Sequence, residues 1–110
     1  MLSPPRPVRT GVIDFAAIAA AALPVLPDIA RRWLPGGRRN GNEWVARNPT
    51  RGDRSPGSFK VNLRTGKWAD FATGDKGGDA ISLAANLHGL SQLEAARKLA
   101  AMLGIEEGGR

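Results

Sequence analysis

WADFATGDKGGDAISL, Trp68 to Leu83, holds the strand-to-helix junction around which the rest of the chain is arranged. It opens as an aromatic strand, passes through a loop containing Gly74, Gly77 and Gly78, and runs straight into an apolar pattern with helical spacing. Three functions suit such a loop: a phosphate cradle, a metal turn, or a structural corner. The cradle fares poorly. A nucleotide P-loop needs a lysine followed by a hydroxyl residue at the helix start, and here the chain reads GDKGGDAIS. Asp75 and Asp79 would also repel a phosphate, and Asp79 is well placed to cap the helix amides itself. Asp70, Asp75 and Asp79 lack the alternate-position ligands and closing glutamate of a calcium loop.

Outward from this corner the local signals are clear. Asp79 N-caps AISLAANLH, which presents Ile81, Leu83, Ala84 and Leu87 and stops at Gly89. Ser91 to Glu94 reads as a capping box, opening a second helix with the stripe Leu93, Ala96, Leu99, Ala100 and Leu103 and a stop at Gly104. Upstream, SFKVNL places Phe59, Val61 and Leu63 on one face and Lys60, Asn62 and Arg64 on the other. Arg64-Thr65-Gly66 turns this strand into KWADF, and EWVARN supplies another. NPTRGDRSPG between them is a loop on every local signal. The fold expected is α+β: a small antiparallel sheet of about three strands, Glu43–Asn48, Ser58–Leu63 and Lys67–Phe71, packed by helices from both ends of the chain.

The N-terminal helices are expected from Ile13 to Leu23, with Asp14 near the start, and over DIARRWL, opened by Pro27 and closed by Pro35-Gly36-Gly37. Residues 1–11, with three prolines, read as a lead-in, 12–105 as one domain and 106–110 as a tail. At 110 residues there is room for one core. The chain has no cysteine and one histidine, His88, which excludes disulfides and thiolate metal sites and leaves no nucleophile–base pair for catalysis. No apolar run reaches the ~18 residues of a membrane span, and the N-terminus lacks a secretory core, so the expected location is cytoplasmic and no membrane partner is expected.

Charge points to the partner. The chain carries a net +6, and from position 31 to 67 a series of arginines and lysines is opposed only by Glu43 and Asp53. Guanidinium groups pair phosphate through two parallel hydrogen bonds, so a polyanion is the natural ligand. Lys60, Arg64 and Lys67, flanking the hairpin, form the cleanest phosphate-tracking strip. Among the strand aromatics, alternation assigns Phe59 and Trp68 to the core and leaves Trp44 and Phe71 open as base-stacking surfaces. Trp33 and Met102 read as packing residues.

The order GDRSPGSFKVN, KWADFATGDKGGDAISL and LEAARKLAAMLGI resembles the N-terminal zinc-binding domain of bacterial and phage DNA primases, the CHC2-type zinc ribbon. Ser55-Pro56 and Ser58-Phe59 are similar to that family's strand motif, with Gly57 inserted. Gly77-Gly78-Asp79 is similar to its helix start, and Glu94-Ala95, Leu99-Ala100 and Gly104-Ile105 to its closing helix. The likeness covers about residues 48–105. Its four ligand positions fall on Asn48, Arg51, Asp70 and Thr73, a set that cannot build tetrahedral zinc.

The resemblance therefore implies a zinc-less relative, with no cofactor, from a phage- or plasmid-type primase or primase-helicase replication protein. It implies a non-catalytic domain that grips single-stranded DNA template, with primase catalytic or helicase domains as further partners. Arg47, Arg51, Arg54, Lys60, Arg64 and Lys67 are the expected phosphate contacts, with Trp44 or Phe71 stacking. The alternative is a protein docking module that kept the shape and lost DNA binding, with the alanine-rich first helix as its surface.

Overall fold

The computed structural model describes residues 13–47 and 58–108. Its described elements run α1 (Phe15–Ala22), a short 3-10 turn (Leu23–Val25), α2 (Leu26–Trp33), β1 (Arg38–Asn40), β2 (Glu43–Ala46), β3 (Phe59–Asn62), β4 (Trp68–Asp70), β5 (Lys76–Gly77), α3 (Ala80–His88) and α4 (Gln92–Leu103). The class is the expected α+β. The sheet is wider than expected: five antiparallel strands in the order β1-β2-β3-β4-β5, a simple meander. The two additional strands are the edges, Arg38-Arg39-Asn40 and Lys76-Gly77. Neither has an apolar alternation, because an edge strand can be held by backbone hydrogen bonds to one neighbour without burying a side chain of its own. The three inner strands are also shorter than the expected spans at their ends.

The helices start and stop where their caps are. Asp14 accepts from the Ala17 amide at the start of α1. Asp79 accepts from the Ser82 amide, while the Ser82 hydroxyl faces the Asp79 amide, closing a capping box on α3. Ser91 and Glu94 close the second one on α4. Gly89 and Gly104 end these helices in the left-handed conformation, which a residue with a Cβ resists. Pro24 does not break the first helix outright; the chain tightens into the 3-10 turn and re-enters α2 with Pro27 in its first turn. The expected tail is joined to the body at Glu107, whose carbonyl accepts from the Asp14 amide and whose carboxylate pairs with Arg97 at 3.4 Å.

One core joins both ends of the chain to one face of the sheet. Ile18, Leu26 and Leu34 from the N-terminal helices and their exit meet Phe59, Val61 and Trp68 from the sheet, and Ile81, Leu83 and Leu99 from α3 and α4. Phe59 and Trp68 stack with ring centroids 5.5 Å apart and planes within 2° of parallel. Both core tryptophans satisfy their indole N–H: Trp44 donates to the Leu34 carbonyl at 2.9 Å and Trp68 to the Ser82 hydroxyl at 2.9 Å. A glycine lies against each indole, Gly37 on Trp44 and Gly77 on Trp68. Among the described residues no helix is long and apolar enough to cross a membrane.

A Cβ at Gly77 would collide with the Trp68 indole and the Ser82 hydroxyl, whereas one at Gly78 would meet nothing within 4 Å. Gly77→Ala should therefore cost about 1–3 kcal/mol through overpacking, and Gly78→Ala should stay within about 0.5 kcal/mol of the parent; urea melts of the two compare them directly. His88, edge-on to Trp33 at 5.2 Å, has its pKa lowered from the ordinary 6.5 by burial and by the Lys98 charge. The unfolded chain then takes up its proton first, so this contribution is complete above pH 6.5 and is lost as pH falls through the lower, folded value. Thermal melts should fall on acidification through that range, and less so in His88→Gln.

Candidate nucleic-acid interface

Period-two alternation divides the sheet. The face carrying Trp44, Val61 and Trp68 is the core face. The opposite face is read off the register: Arg38 opposite Val45, Val45 opposite Lys60, Lys60 opposite Ala69, and Ala69 opposite Lys76. One row of side chains thus crosses all five strands with cations at both edges and the centre. Neighbouring strands lie about 4.8 Å apart, so the three cations recur at about 10 Å intervals.

Two shorter rows flank it. Toward the far end of β2, Arg47 falls on this face together with Ser58 and Phe71, whose amide donates to the Ser58 carbonyl at 2.6 Å. On the other side Lys67 sits across from Asn62, its carbonyl accepting the Asn62 amide at 2.7 Å. Arg38, Arg47, Lys67 and Lys76 are exposed, Lys60 is half-buried, and the only carboxylate on the face among the described residues is Glu43. Among the described residues none of these five cations is paired with a carboxylate.

Phe71 is 68% exposed, the most of any large apolar side chain described, and the Lys60 ammonium lies 5.6 Å from its ring centroid. An exposed phenyl ring with a cation over it offers a flat stacking surface beside a charge. Of the two aromatics left open by alternation, Trp44 is the core residue: it is 9% exposed and its N–H is committed to Leu34. It cannot stack on a base without leaving the core, and Phe71 is the aromatic of this face.

Of the remaining expected residues, Arg64 is exposed on the β3–β4 turn, where its amide donates to the Asn62 side chain. Asn48, Arg51 and Arg54 lie outside the described residues. Arg38 and Lys76 are brought to the face by strand register alone; Arg38 sits in a run of arginines with no period, and Lys76 in a loop that reads as a corner. The remaining two positions of the expected ligand set form a closed turn. Asp70 is buried, its carboxylate accepts the Ala72 amide at 3.0 Å, and its carbonyl accepts the Gly74 amide at 2.7 Å. The Thr73 hydroxyl accepts the Asp75 amide at 3.1 Å. Among the described residues no three His, Cys, Asp or Glu side chains are grouped to hold a metal ion.

Residues 35–108 match the CHC2 zinc finger, the DnaG zinc ribbon. The chain belongs to the CHC2 zinc finger family. A search of curated proteins finds no match. Among solved structures this CHC2 chain is similar to the Aquifex aeolicus primase, in a crystal structure of its zinc-binding and RNA polymerase domains. The identity is 25% and the TM-score 0.69, over 86% of this chain and 22% of that one. The CHC2 chain thus spans about a fifth of the length of that structure. The 86% share is too large to be met by residues 35–110 alone, so the shared fold includes part of the N-terminal helical segment.

Proposed function

We propose that this CHC2 domain is a non-catalytic part of a primase-type replication protein and holds a single-stranded DNA template on the outer face of its sheet. The observation that carries the reading is the cross-sheet row Arg38, Lys60 and Lys76 with the exposed Phe71 ring beside Lys60. Phosphates would meet the cations of the row and Arg47, Arg64 and Lys67 at its sides, with Arg51 and Arg54 of the β2–β3 connection contributing from outside the described residues. A base would stack on Phe71. Membership in the CHC2 family and the likeness to a primase support this reading, and the primase catalytic or helicase domains are the natural covalent or docking partners.

The same reading holds that the domain folds without zinc, as in replication proteins of phage or plasmid type. The donor set supports it: a guanidinium at Arg51 does not ligate, and Asn48, Asp70 and Thr73 without a thiolate or imidazole make a poor zinc site. Asp70 and Thr73 already have their hydrogen-bond partners within the turn. The melting temperature should accordingly be the same with and without EDTA, and a drop on chelation would overturn the zinc-less reading.

Titration of a fluorescent single-stranded oligonucleotide at two salt concentrations tests the binding itself. Each phosphate contact on a single strand contributes about 0.7 to the slope of log K against log salt. Lys60→Ala should lower that slope by about one such step, and Phe71→Ala should weaken binding by about 1–3 kcal/mol with the slope unchanged. No binding at low salt would discard the proposal in favour of a protein docking role.

A further inference from the structure

The free edge of the sheet is β1. It pairs with β2 on one side, and among the described residues no strand pairs with its other side. Its residues, Arg38, Arg39 and Asn40, are all exposed. Which backbone groups face the free side follows from the hairpin. Gly41-Asn42 is a two-residue turn with a positive φ, 61°, at its first residue only, the form that closes on a hydrogen-bonded pair, here Asn40 and Glu43. Bonded and non-bonded pairs alternate along an antiparallel ladder. Arg38 is therefore bonded to Val45, while Arg39, opposite Trp44, turns its N–H and C=O outward. Gly37, two residues back, has the same parity, and no backbone hydrogen bond holds it among the described residues. Gly37 and Arg39 thus offer donors and acceptors at the spacing with which a further antiparallel strand pairs.

The side chains decide what such a strand can be. Arg38 belongs to the outer face and Arg39, by parity, to the core face beside Trp44, so an incoming strand meets a guanidinium on each face in succession. Arg39 donates through Nε to the Gly41 carbonyl at 3.0 Å, which leaves its terminal nitrogens for a carboxylate. Neither arginine has a carboxylate partner among the described residues. A second copy of this chain, edge to edge, would set arginine against arginine, a device by which edge strands avoid pairing with themselves. A strand with two adjacent carboxylates turns that repulsion into attraction. Opposite Gly37 the edge carries no side chain, because a Cβ there would collide with the Trp44 indole; an apolar side chain on the incoming strand would lie against the rim of that ring.

We propose that the β1 edge is a docking site for an extended acidic segment of a partner protein, added as a further antiparallel strand with one carboxylate facing Arg39, the next facing Arg38 and an apolar residue facing Gly37. The site uses the edge of the sheet and stands whether or not a template binds the outer face. Arg38 is common to both, so an acidic segment on the edge draws one cation away from the outer row.

The probe is a fluorescent peptide of threonines with a central Asp-Asp-Val, added to the whole protein at low salt. Anisotropy should show saturable binding, about fivefold weaker for the Asn-Asn-Val peptide and for Arg39→Gln, the upper range for exposed cross-strand charge pairs. An unchanged melting temperature confirms that the variant is folded. Methylating the backbone nitrogen of the peptide residue that faces Arg39 removes one ladder hydrogen bond and should weaken binding about fivefold with the charges unchanged. Hydrogen exchange gives a readout that a charge contact alone does not move: the peptide should slow the Gly37 and Arg39 amides, which point outward, and leave those of Arg38 and Asn40 as they were. No binding at low salt, indifference to methylation, or absence of that alternation overturns the docking edge. A dimer of the free protein with the Gly37 and Arg39 amides already protected assigns the edge to a second copy and overturns it too. Binding of the peptide by a protein that fails to bind single-stranded DNA discards the template track and leaves the edge in place.

Discussion

The Trp68 indole is the constraint on which the rest of the sheet depends. It stacks parallel to and offset from Phe59, lies under Gly77, and donates its N–H to Ser82. Those contacts tie β3, β5 and α3 to β4 at one point. A buried indole N–H without an acceptor would be costly, and the acceptor here is a hydroxyl that also completes the cap of α3. The position of the sheet and the first turn of the helix are therefore one requirement. Glycine is needed at position 77 for lack of room, not for its backbone angle, since the indole occupies the space a methyl group would take.

With one face of the sheet committed to tryptophans and α3, Lys60 and the edge cations Arg38 and Lys76 fall on the other. Lys60 alternates with Phe59 and Val61, so burying those two sends the ammonium outward. The same parity carries through the ladder to Arg38 and Lys76 at the edges. The cationic face is thus a by-product of the core: any register that buried Lys60 would expose Phe59, at a cost far above that of an unpaired surface cation. The acid beside this face follows the same logic, because Asp75 precedes β5 in sequence and lies toward α3 where it meets Asn86.

The glycine-rich corner between β4 and α3 is a structural one. Its backbone bonds run between Asp70, Gly74 and Asp75, and its side chains cap the turn and the following helix. In a family named for zinc, this corner is built from carboxylate and hydroxyl hydrogen bonds that short polar side chains can make locally. The helices before residue 35, outside the matched stretch, add Ile18, Leu26 and Leu34 to the same core.

Elements whose causes are local follow from the sequence without its neighbours in space. Asp79 and Ser91 with their partners, Gly89, Gly104 and the alternation of Phe59 and Val61 each act within a turn or a strand, so α3, α4 and β3 were legible before any fold was known. Lys60, Lys67 and Arg47 were legible as candidate contacts, and the register puts all three on the outer face. Tertiary structure alone decided what depends on a neighbouring strand. Arg38-Arg39-Asn40 and Lys76-Gly77 have no period to read and become strands only because β2 and β4 offer them hydrogen-bond partners. Which of Trp44 and Phe71 is exposed was likewise decided in three dimensions: the Trp44 indole is buried with its N–H on the Leu34 carbonyl, and strand parity turns the Phe71 ring to the other face. Local pattern names the cations and aromatics; pairing across the sheet decides which of them share a face.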